Sequence, residues 1–198
     1  MSDNLYGKFI LQLGPLKEKI SDTDYFRICQ LNELLLIERS ANGDWEIQSL
    51  NDNEDSARIA VLTGEFGRWV RENGTGIGFA AFTGFLLPNG AVRAPDLSWV
   101  KREKWDTIPP EKRKKFAHIA PDFVIELRSA SDALKDLQDK MEEYTANGVR
   151  LGWLIDTKRK RVYVYRPDSE VDILRNPLTV DGGPVLTGFV LRMAEIWG

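Results

Sequence analysis

Polar and apolar positions alternate in changing rhythms along this chain, and the changes mark its elements. Around Ser21 to Glu33, a Ser/Asp/Thr/Asp run precedes Tyr25, Phe26, Ile28, Cys29 and Leu31, the order of a capped short helix. An apolar run follows from Leu34 to Glu38. The turn signal Asn42-Gly43 then leads to Trp45, Ile47 and Leu50, which predicts a β-hairpin. From Asp55 to Asn73, the residues Ile59, Leu62, Phe66, Trp69 and Val70 fall at helical spacing, with Asp52 or Asn53 as cap and Gly74 as stop. Strands are expected near 77–82, 84–87, 91–93 and 96–100, with Pro88-Asn89-Gly90 as a second hairpin turn. Residues 101–118 form a polar link, with a short helix expected to open at Pro109-Pro110-Glu111.

The run Phe123-Val124-Ile125-Glu126-Leu127 reads as a strand. A helix with the inner stripe Leu134, Leu137, Met141 and Tyr144 follows, ending at Asn147-Gly148. Leu151 to Ile155 and Val162 to Tyr165 are joined by a turn over Asp156 to Lys160, and short strand-like pieces lie at 171–174 and 185–191. Residues 1–20 fit either a short strand or an arm on a neighbouring subunit. The strand–helix–strand segment 122–155 supplies the crossover that parallel pairing needs, while the hairpins make the sheet mixed. The expected class is α/β (α+β), a mixed central sheet flanked by helices.

At 198 residues with 42% hydrophobic positions, one sizeable core and a single domain over 1–198 are expected. No apolar run is long enough to span a bilayer, and Met1-Ser2-Asp3-Asn4 lacks the pattern of a secretion signal, so a cytoplasmic protein with no membrane partner is expected. The single cysteine, Cys29, excludes an internal disulfide framework and thiolate-rich zinc sites. The single histidine, His118, argues against zinc-hydrolase sites and Ser/His/Asp triads. A net charge of −3 gives no whole-molecule attraction to nucleic acid, so any polyanion site must be local.

Candidate chemistry lies where carboxylates interrupt apolar strands, because burying an unpaired ion is costly. Glu126 is one such residue. Asp96, after Pro95 and before the apolar run Leu97 to Val100, is another. If their strands are neighbours, the two carboxylates converge on one divalent ion. Asp122, in a second Pro-Asp pair, lies four residues from Glu126, about 13 Å along a strand, too far to share that ion. Arg128 falls on Glu126's face by alternation and offers a cation, though a poor proton acceptor. Lys140 stands at the edge of the helix stripe, either projecting its ammonium into the site or pairing with Asp136 at the surface.

The segments Pro95-Asp96 and Glu126-Leu127-Arg128 resemble the PD-(D/E)XK motif. Residues 91–100, 121–129 and 140–156, taken in order, resemble a restriction-endonuclease-like family long catalogued as a domain of unknown function and expanded in cyanobacteria. The likeness covers roughly residues 30–195. It implies a restriction-endonuclease-like fold and hydrolysis of phosphodiester bonds, in DNA first, with magnesium or manganese. Asp96, Glu126 and the backbone carbonyl of Leu127 take the metal-ligand positions. The motif's lysine is replaced by Arg128 here, and Lys140 on the next helix is the substitute the family suggests. Glu38 resembles a glutamate the family carries early in the fold, though an exposed strand charge reads equally well. A homodimer is implied by the same resemblance.

Two other classes stay open on the sequence: a catalytically inactive nucleic-acid-binding module of the same fold, and a metal-independent hydrolase using Asp96 and Glu126 as an acid and base pair, with six tryptophans available to stack on sugars. Two basic runs are candidates for phosphate contact. Lys101 to Lys115 holds seven basic and three acidic residues, and Lys158-Arg159-Lys160-Arg161 is unbroken.

Overall fold

The computed structural model describes residues 8–48 and 53–198. Leu50, the candidate cap Asp52 and the first seven residues of the expected arm lie outside the described residues. Strand β1 (Lys8–Leu11) comes first and pairs antiparallel with β3 (Trp45–Gln48), so the strand reading of this segment holds for those four residues. Helix α1 (Asp22–Leu31) opens where Ser21 accepts a hydrogen bond from the Asp24 N–H at 3.1 Å. Strand β2 (Leu36–Arg39) turns into β3 through Gly43, whose φ of +87° is a left-handed conformation that glycine adopts freely. Helix α2 (Asn53–Asn73) ends at Gly74, as its stop signal requires.

The expected α/β class with mixed sheet and flanking helices holds, and the strands divide into two six-stranded sheets where one central sheet was expected. The first contains β4 (Gly76–Ala80), β7 (Leu97–Lys101), β9 (Phe123–Leu127), β10 (Leu151–Asp156), β11 (Arg161–Tyr165) and β12 (Asp172–Arg175). Its spatial order is β12-β11-β10-β9-β7-β4, with β9 and β10 parallel and joined by helix α4 (Leu134–Ala146). The second gathers β1, β3 and β2 with β6 (Val92–Arg93), β5 (Phe85–Leu86) and β8 (Ala117–His118). A small pair, β13 (Thr179–Asp181) and β14 (Val190–Arg192), precedes the short helix α5 (Ala194–Trp197).

The hairpin signals were sound, but two of the three hairpins belong to the other sheet. The chain leaves the first sheet after β4, builds β5 and β6 in the second, and returns at β7. The crossing back is Ala94-Pro95-Asp96. Proline has no N–H to give to a ladder, so it suits the place where one sheet ends and the next begins. The expected helix at Pro109-Pro110-Glu111 is instead a turn, with the Lys112 N–H bonded to the Pro109 carbonyl at 2.9 Å. The short helix of this link is α3 (Arg102–Asp106), held where Lys104 reaches the Ala120 carbonyl at 2.7 Å.

Strand β9 is covered on both faces, which explains its near-continuous apolar run. Phe123, Ile125 and Leu127 pack with Leu62 and Phe66 of α2, while Val124 faces Met141 and Tyr144 of α4. Glu126 therefore points to the α4 side. A third cluster, around Tyr25, Ile37 and Trp45, lies under α1. All six tryptophans are packed in or against these clusters. That removes the stacking argument for a sugar hydrolase.

The close approach of β4 to β7 offers a test of this packing. A methyl group on Gly76 would sit 2.3 Å from Cε2 of the buried Trp99 indole, a rigid ring with no flexible end to give way. Gly76→Ala should destabilise the fold by about 1–3 kcal/mol in urea denaturation, with the m-value unchanged.

Candidate active site

Asp96 sits at the seam between the sheets. The β7–β9 register pairs Leu97 with Ile125, and one further step places Asp96 opposite Glu126. Asp96 Oδ2 accepts the Leu127 N–H at 2.7 Å. In an extended strand a residue's N–H and C=O open toward the same edge, so the Leu127 carbonyl also opens on Asp96's side. Asp96 and Glu126 are thus neighbours across the seam, with the Leu127 peptide beside them.

Lys140 is buried, not a surface partner of Asp136. Its ammonium lies 2.8 Å from Glu126 Oε1 and 2.9 Å from Glu38 Oε1. Glu38 is fully buried, so its reading as an exposed strand charge is corrected. It comes from the second sheet and accepts the Ala94 N–H at 2.5 Å. One lysine therefore bridges a carboxylate from each sheet.

The surrounding residues were not singled out by the sequence. Tyr144, one turn along α4 from Lys140, donates its hydroxyl to Glu126 Oε1 at 2.9 Å. Arg93, buried on β6, meets Glu46 at 2.8 Å, Glu143 at 2.5 Å and Glu38 at 3.6 Å. A signal for Arg93 did exist. The hairpin centred on Asn42-Gly43 places Glu38 directly opposite Glu46, and like charges at such a position need a cation between them.

Arg128 is not brought into this cluster. Its guanidinium bonds Asp156 at 3.0 Å and the Asp132 carbonyl at 3.2 Å. Asp156 is fully buried at the end of β10, beside Arg128, and an unpaired charge there would be costly. Asp122 lies at the far end of β9, where it accepts the Lys101 N–H at 2.8 Å. His118 is exposed on β8, and Cys29 is a half-buried free thiol beside the α1 cluster.

The electrostatics of the cluster are unbalanced. Among the described residues, Glu38, Asp96, Glu126 and Glu143 face Lys140 and Arg93 as cations. Burial raises the Asp96 pKa to about 6, against the Leu127 N–H and Lys140, which lower it. Burial also raises Glu126, to about 8, with Lys140 opposing and Asp96 and Glu38 adding to the rise. For Lys140, burial pulls the pKa down, but Glu126 and Glu38 outweigh it and the net shift is upward. Burial, followed by Glu126, keeps Tyr144 a neutral donor.

This arrangement fits a divalent cation. Among the described residues no three carboxylate, imidazole or thiolate side chains converge into a ready-made cage. Two carboxylates and a carbonyl instead suit a hard ion that keeps several waters, as magnesium does. Buried Glu38 Oε2 has no hydrogen-bond partner, a sign of the same surplus of negative charge.

Comparisons with known proteins agree with this architecture. A putative nuclease of the DUF820 family from Anabaena variabilis, solved by crystallography, superposes with a TM-score of 0.69 at 21% identity, covering 81% of this chain and 89% of that one. At that identity the likeness speaks for the fold. No curated protein matches. No described helix is long and apolar enough to cross a membrane. The model of the Uma2 family, described as putative restriction endonucleases, matches residues 22–194, a span that includes Glu38, Asp96, Glu126 and Lys140, and the chain belongs to that family.

Proposed function

We propose that this chain is a divalent-metal-dependent endonuclease that hydrolyses phosphodiester bonds in DNA. The observation that carries the reading is the buried Lys140 ammonium between Glu38 and Glu126, beside Asp96 and the Leu127 peptide. Asp96, Glu126 and that carbonyl would hold magnesium or manganese. When bound, such an ion supplies Lewis acidity toward the phosphate and makes water a better nucleophile at neutral pH.

The protein groups then have distinct roles. Lys140, held protonated by its two carboxylates, is a fixed positive charge and hydrogen-bond donor and not a proton acceptor. It offsets charge on the phosphoryl oxygens as the bond breaks. Glu38 anchors Lys140 from the second sheet. Tyr144 and Lys140 both bond Glu126 Oε1, which fixes the orientation of that carboxylate.

Purified protein should nick plasmid DNA with magnesium or manganese and not with EDTA. Asp96→Ala and Glu126→Ala should each lower the rate at least about 100-fold, and wild-type rates in either variant would overturn the assignment. Lys140→Gln should lose cleavage to a similar extent while still binding manganese in calorimetry. A variant that cleaves normally removes Lys140 from the mechanism.

A pH dependence follows from the raised carboxylates. Metal binds the ionised forms, and the site's acids titrate at about 6 and about 8. Manganese affinity should therefore rise with pH across that interval and level off above it. Without metal the sign reverses. Raised carboxylate pKa values stabilise the fold below their ordinary values of 3.8 and 4.5, and this is lost as pH rises through about 6 and 8. The melting-temperature gain on adding manganese should accordingly be larger at pH 8 than at pH 6, and an equal gain at both would contradict the buried-carboxylate account.

A further inference from the structure

The two basic runs of the sequence carry the same net charge, +4, but strand polarity separates them. Strands β9 and β10 are parallel, with Leu154 beside Glu126 and Ile155 beside Leu127. The turn Thr157–Lys160 therefore leaves the sheet at the same end as the Asp96 and Glu126 pair. It is also fastened there, because Lys158 Nζ bonds the Ala130 carbonyl at 3.1 Å, in the loop that follows Glu126-Leu127-Arg128.

The other run starts from the opposite end. Strand β7 is antiparallel to β9, so the chain that begins at Asp96 delivers Lys101 beside Asp122, about 13 Å along β9 from Glu126. Its charge is also partly spent. Lys101 pairs with Glu103 at 2.8 Å, Lys104 with Asp122 at 3.4 Å and Arg113 with Asp106 at 3.7 Å.

In the turn, Arg159 pairs with Asp156, whereas Lys158 meets only a neutral carbonyl and Lys160 has no carboxylate partner among the described residues. Lys158 and Lys160 are both exposed. Lys160 also takes a left-handed φ of +48°, a conformation that costs a lysine about 1 kcal/mol and a glycine almost nothing. The site thus carries a charged side chain where the backbone alone would favour a smaller one.

We infer that the exposed turn of Lys158 and Lys160 binds the sugar-phosphate backbone of the DNA strand flanking the scissile bond, and that the Lys101–Lys115 run does not. The turn leaves β10 after Asp156, two residues beyond Leu154, the neighbour of Glu126, roughly 7 Å along the sheet. At a 3.4 Å rise per nucleotide, that is about two nucleotides from the reacting phosphate. The inference rests on the nuclease reading for the position of the scissile bond.

The test is anisotropy of a fluorescent DNA duplex titrated with full-length protein in EDTA, repeated over a salt series. Each phosphate contact removed lowers the slope of log K against log salt by about 0.9. The double variant Lys158→Gln/Lys160→Gly should lose about 1.8 from the slope and bind at least about tenfold more weakly at moderate salt. The glycine also relieves the left-handed backbone, so the variant keeps its melting temperature. The control Lys112→Gln/Lys114→Gln should keep the wild-type slope. An unchanged slope in the turn variant, an equal loss in both variants, or a wild-type chain that does not bind duplex would each overturn the inference. Turn-dependent binding without cleavage by any divalent ion would sustain it and overturn the nuclease reading.

Discussion

The Lys140 ammonium is in contact with both halves of the site. Glu126 arrives on the central parallel pair of the first sheet, Glu38 on the hairpin of the second, and each places an oxygen within 3 Å of the same nitrogen. Each carboxylate is buried, and burying a charge without a partner costs several kcal/mol. The helix that carries Lys140 is also the crossover that makes β9 and β10 parallel, so the fold and the charge balance are set by one element.

From this bridge the rest of the cluster follows. Helix α4 presents Lys140, Glu143 and Tyr144 at spacings of three and four residues, so one face addresses Glu126, Glu38 and Arg93 together. The crossing Ala94-Pro95-Asp96 lies in the same gap, giving a backbone N–H to Glu38 and a carboxylate to the Leu127 N–H. Among the described residues, Lys140 and Arg93 are the two cations set among Glu38, Asp96, Glu126 and Glu143.

Much of this was legible in the chain, and for identifiable reasons. The hairpins at Asn42-Gly43 and Asn89-Gly90 and the helices ending at Gly74 and Gly148 are local events, written in residues with special backbone freedom. The pair Asp96 and Glu126 was legible because a carboxylate in an apolar strand demands compensation. The division into two sheets was not, because periodicity tells which residues face inward and not which sheet a strand joins. Arg93 and Tyr144 were passed over for a related reason. One stands on a two-residue strand with no pattern of its own, and the other reads as an ordinary member of the apolar stripe of α4. Arg128 shows the limit of strand alternation, which placed it on the right face but could not show that Asp156 claims it.

The hairpin that carries Glu38 has a consequence that concerns loop length. Side chains along β2 alternate between two environments, with Ile37 packed toward Tyr25 under α1 and Glu38 turned toward Lys140. The five residues between Arg39 and Trp45 fix which of the two faces each position takes, because they lock Glu38 against Glu46. One residue more or less would shift the pairing by a step and turn an aliphatic or arginine side chain toward the ammonium. The surface turn thus acts as a gauge for the charge on the inside. Its length is under a constraint that its own solvent-exposed composition does not reveal.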